Sequence, residues 1–77
     1  MKNSQNEKAW SVITTRDIYR VPDGSGRGKA STSHEAQIEV LEYYIGYLTG
    51  ESIVAVEHPD LAKIEVLDEA GYRQACE

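Results

Sequence analysis

The sequence predicts a small α+β fold, with one amphipathic helix packed on a three- to four-stranded antiparallel sheet in the order β(β)-α-β-β and a short C-terminal helical turn. Three observations lead there. Residues 9–21 are crowded with β-branched and aromatic side chains and hold few helix formers. Apolar residues recur at helical spacing between residues 33 and 48. Two short runs follow, Ile53-Val54-Ala55-Val56 and Ala62 to Val66, the second alternating apolar with charged positions as a half-buried strand does. With 77 residues the chain has room for one modest core and no second domain.

Each element has a local reason. Residues 1–8 are polar and read as a disordered lead, leaving residues 9–77 as the domain. Trp10, Val12, Ile13, Ile18, Tyr19 and Val21 form one long irregular strand or a hairpin turning near Thr15-Arg16-Asp17. Pro22 and the run Gly24-Ser25-Gly26-Arg27-Gly28 end it in a mobile loop. Thr32-Ser33-His34-Glu35 has the spacing of a capping box, so a helix is expected from Ser33 to about Leu48, stopped at Thr49-Gly50. Its core stripe is Val40, Leu41, Tyr44, Ile45 and Leu48, with Ile38 on the border. His58-Pro59-Asp60 is turn chemistry joining the last two strands, and Asp68 caps a C-terminal turn weakened by Gly71.

Charge divides the chain. Residues 1–34 hold six Lys/Arg against three acids, while residues 35–77 hold two against ten, so a net charge of −5 conceals a basic first half and a strongly acidic second half. Such asymmetry speaks about partners, because an acidic surface repels nucleic acid and attracts basic grooves. The single cysteine, Cys76, allows no internal disulfide, and the N-terminus lacks the apolar stretch of a signal peptide. A cytoplasmic location is expected, in the host cell if the protein is phage-encoded.

Motifs for catalysis are missing. Gly24 and Gly28 are separated by three residues rather than the four of a P-loop, and Ala30 follows Lys29 where a Ser or Thr is needed. Arg16, Arg20, Arg27 and Lys29 remain a candidate for a weaker anion contact. His34 and His58 lie too far apart, without cysteine or histidine partners, to make a zinc set. No catalytic residue, metal ligand or cofactor is expected, and the chain reads as a non-enzyme.

The helix carries the most informative constellation. At 100° per residue Tyr43 and Tyr47 fall on a flank with Glu39 and Ala36, away from the core stripe, and Glu35 and Glu42 are also outside it. Exposed tyrosines bordered by carboxylates suit a binding hot spot, since Tyr brings contact area at low entropy cost together with a hydroxyl. The expected partner-binding set is Glu35, Glu39, Glu42, Tyr43 and Tyr47. In size, acidity and its strand, helix and hairpin plan, which covers most of the chain, the protein resembles small phage and mobile-element inhibitors, anti-CRISPR proteins among them. That resemblance implies an acidic face, built from Glu35, Glu39, Glu42, Glu57, Glu65, Asp68 and Glu69, that competes with nucleic acid for a basic channel on a larger protein. Two alternatives stand beside it. One is a homodimeric structural or assembly protein pairing through edge strands, and the other is a weak nucleic-acid-binding domain using the N-terminal basic residues. Neither a membrane nor direct nucleic acid is the expected partner.

Overall fold

Ala9–Thr14 (β1) and Ile18–Pro22 (β2) form a hairpin, Ser33–Val40 is a helix (α1), and Leu41–Ile45 continues it as one π-helical turn. Ile53–Glu57 (β3), Glu65–Val66 (β4) and Glu69–Cys76 (α2) complete a computed structural model that describes residues 8–46 and 50–76. The four strands make one antiparallel sheet in the order β2-β1-β3-β4. This is the α+β architecture that the periodicities predict.

The hairpin turns where expected because Thr14 holds both sides of it. Its N–H donates to the Asp17 carbonyl at 2.9 Å, and its buried hydroxyl oxygen accepts the N–H groups of Asp17 at 2.9 Å and Arg16 at 3.1 Å. Alternation along β1 then sends Trp10, Val12 and Thr14 to one face, where all three are buried. On that face Trp10 and Val12 pack with Val21, Ala30, Ala36, Val40, Ile45 and Val56 to form the core beneath α1. A register shift between Ile13 and Thr14 against β3 leaves Val54 and Ala55 buried as well. Gly71 of α2 sits against Val54, so α2 lies on the opposite face of the sheet from α1.

Several sequence expectations shift. Lys8 belongs to the fold rather than to the lead, since its carbonyl accepts the Asp23 N–H at 3.0 Å and its amine pairs with Asp60; residues 1–7 lie outside the described residues. The strand expected over Ala62 to Val66 is reduced to Glu65 and Val66. Tyr44 is half exposed rather than core, and Leu41 is only partly buried, whereas Ala36, placed on the far flank by ideal helical projection, is 0% exposed. The described helix also ends earlier, at Gly46 with φ 74°, a conformation that favours glycine. Leu48 and the expected stop at Thr49 lie outside the described residues.

Candidate functional site

The surface of α1 is set first by its cap. Thr32 accepts the Glu35 N–H on its hydroxyl at 3.1 Å, as the Thr-x-x-Glu spacing predicts. The Glu35 carboxylate differs from a standard capping box in taking the N–H and the hydroxyl of Ser31, both at 2.8 Å. The Ser31 N–H, followed by its hydroxyl, holds the Glu35 carboxyl below the usual carboxylate range.

The π turn explains the altered phase. In an unbroken α-helix the residue four after Val40, Tyr44, would follow it into the core. A turn closed between residues five apart takes up one more residue, so Ile45 fills that place beside Val40 and both are buried. Tyr44 is thereby turned outward and is 50% exposed, beside Tyr43 at 67%. Tyr44 lies against Tyr19, with ring centroids 5.6 Å apart and planes 12° from parallel. The Tyr19 hydroxyl donates to the Glu51 carboxylate at 3.0 Å, and Thr14 donates to the same oxygen. Burial, reinforced by that hydrogen bond and the Glu51 charge, pushes the Tyr19 hydroxyl up. The tyrosine patch thus stands on a fixed aromatic base.

Of the expected contact residues, Glu35, Glu42 and Tyr43 are exposed and Glu39 is half-buried, all on the helix and its π turn. Tyr47 lies outside the described residues. Tyr44 and Ile38 are exposed members that the ideal projection did not select. No Lys or Arg occurs between Ser33 and Ile45, so the whole segment is anionic.

The glycine loop is anchored at its base. Ala30 donates to the Pro22 carbonyl at 2.9 Å, and the Ala30 carbonyl accepts both the Gly24 N–H and the Trp10 indole N–H at 2.9 Å. Between loop and helix runs a groove of about 230 Å³, with Ser25, Lys29 and Ser31 on one side and Glu35, Ile38 and Glu39 on the other. Two carboxylates in it oppose a phosphate. The four basic residues considered for an anion contact are all exposed but do not converge. Arg16 is in the hairpin turn, whereas Arg27 and Lys29 lie beyond the other end of β2, a five-residue strand that spans about 17 Å.

Asp23, His58 and Asp60 come together, which their sequence separation concealed. The buried His58 ring packs on Trp10 with centroids 4.1 Å apart. Its Nδ1 accepts the Asp60 N–H at 3.0 Å, which puts the proton on Nε2, where it is donated to Asp23 at 2.9 Å. Lys8 Nζ lies 3.0 Å from each Asp60 oxygen. With both imidazole nitrogens hydrogen-bonded, the set forms a clamp that joins the glycine loop to the end of β3. His34 and Cys76 are exposed, on α1 and α2 respectively.

The sheet edges bear on self-association. Thr14 N–H to Asp17 and Asp23 N–H to Lys8 fix which β2 groups face β1, leaving those of Ile18, Arg20 and Pro22 on the outer edge. The Ile18 N–H is taken by the Asp17 side chain at 2.8 Å, and the Pro22 carbonyl by Ala30 at 2.9 Å. Arg20 alone offers both an N–H and a C=O, and β4 at the other edge has two residues. Both edges are blunted against strand addition.

No known family, curated protein or solved structure matches the chain.

Proposed function

We propose that the protein is a non-catalytic protein-binding domain, a stoichiometric inhibitor or adaptor that presents the acidic, tyrosine-bearing face of α1 and its π turn to a basic site on a larger protein. The observation that carries this reading is the π turn itself. It places Ile45 in the core and leaves Tyr43 and Tyr44 exposed beside Glu39 and Glu42, on a segment with no basic residue. Large aromatic area held by a rigid base suits a hot spot, and the carboxylates around it steer a cationic partner. An anti-CRISPR-like inhibitor is the case in which the partner's basic site is a nucleic-acid channel.

The test is capture from lysate with three tagged chains, wild type, Tyr43→Ala and the Glu39→Lys/Glu42→Lys pair, each first shown to be folded. Proteins that occupy the face should be held by the wild type, lost from both variants, and released as ionic strength rises. An identical set retained by all three chains removes the helix face from the function. A salt-sensitive mobility shift with nucleic acid that survives both variants would favour the basic N-terminal half instead.

A further inference from the structure

Resting on the reading of α1 as the docking face, we propose that the groove between the glycine loop and α1 is its specificity pocket, and that it receives an arginine side chain of the partner. The groove holds about 230 Å³, room for one long side chain rather than a free metabolite of any size. Its chemistry is mixed in the way an arginine is mixed. Ile38, 37% exposed although it points away from the core, supplies an apolar wall for a methylene stem, and Glu35 and Glu39 supply charge for the head.

The two carboxylates favour a guanidinium over an ammonium. They sit one helical turn apart as neighbours on one face, and a guanidinium presents five donors in a fixed planar fork that can meet both with little further ordering, whereas an ammonium on its flexible stem is a strongly hydrated point charge. Ser25 and Ser31 add hydroxyls to the rim. Glu35 stays ionised, since it already accepts two hydrogen bonds from Ser31. The one cation lining the groove is Lys29, which makes no ion pair with either glutamate among the described residues. Its stem lies over Gly24, where an added Cβ would come within 3.2 Å of Lys29 Cδ. The groove therefore keeps a net negative charge, and a phosphate is the wrong ligand for it.

The probes are acetyl-Gly-Arg-Gly-amide, the same peptide with lysine, the same peptide with glycine, and inorganic phosphate, each titrated into the isotopically labelled full chain and followed by NMR. The arginine peptide should move the resonances of Ile38, Glu39 and the glycine loop, the lysine peptide should bind several-fold more weakly, and the glycine peptide and phosphate should leave them in place. Glu39→Gln, which leaves the helix cap intact, should weaken the arginine peptide by about tenfold, the scale of a lost charge-assisted contact. The proposal is overturned if phosphate moves the groove resonances, if lysine binds as well as arginine, or if the arginine peptide moves none of them. Capture with Tyr43→Ala separates the two ideas. A silent groove with partners still lost from Tyr43→Ala sinks only the pocket, whereas a responsive groove with all partners retained sinks the wider reading.

Discussion

His58 has both ring nitrogens engaged, and Trp10 covers its face. Replacing it by leucine keeps volume but leaves Asp23 without its donor and the Asp60 N–H without its acceptor. The expected cost is about 1–3 kcal/mol, read as a lower thermal midpoint. An unchanged midpoint would mean that the clamp contributes nothing. Glu35 yields a pH prediction of definite sign. Its folded pKa is lowered, chiefly by the Ser31 N–H, so the stability it adds is fully present above the unfolded value of about 4.3 and is lost as pH falls from there through the lower folded value. Urea unfolding of wild type and Glu35→Gln between pH 7 and pH 3 should show a gap that is constant at neutral pH and closes in that window. A gap that widens on acidification would contradict the hydrogen-bonding assignment.

At the level of elements, what the sequence made legible was what local chemistry decides. Thr32 caps α1, Thr15-Arg16-Asp17 turns the hairpin and Asp68 starts α2, each through bonds within a few residues. The rest depended on contacts between distant residues. The helical repeat put both Tyr44 and Ile45 in the core stripe, and Ile45 is there, but nothing in it announced that Tyr44 would be left out, because a π turn forms when packing rewards the extra residue. The same applies to Gly71. By propensity it weakens α2, and an alanine there should gain about 1 kcal/mol. In the fold an added Cβ would lie 2.7 Å from Val54 Cγ1 and 2.8 Å from Asp68 Oδ2, with Val54 fully buried. Overpacking of that kind costs about 1–3 kcal/mol, so Gly71→Ala should lower the thermal midpoint and increase hydrogen exchange in α2 despite its better propensity. Adding Val54→Ala should restore the exchange protection of α2. A stabilised single mutant would show that α2 does not dock on Val54.

At the level of the whole molecule the two sides of α1 differ. The inward side of α1, with Ala36, Val40 and Ile45, holds the sheet, while the outward side carries Glu39, Glu42, Tyr43 and Tyr44. Blunted edges and a clamped loop leave that outward side as an exposed aromatic and anionic surface. Glu39, Glu42 and Tyr43 lie outside the core as charge and helical phase predict, whereas Tyr44, read as core, and Ile38, read as border, are exposed, Tyr44 because of the π turn. The most direct measurement sets stability against binding in two single mutants, Val40→Ala and Tyr43→Ala, by recording the thermal midpoint and the captured partners of each. Val40→Ala should lose about 2 kcal/mol of stability yet hold its partners while folded, and Tyr43→Ala should keep its midpoint within a few degrees and lose them. If Tyr43→Ala instead unfolds, or stays folded and retains every partner that the wild type holds, the outward face of the helix is not where this protein works.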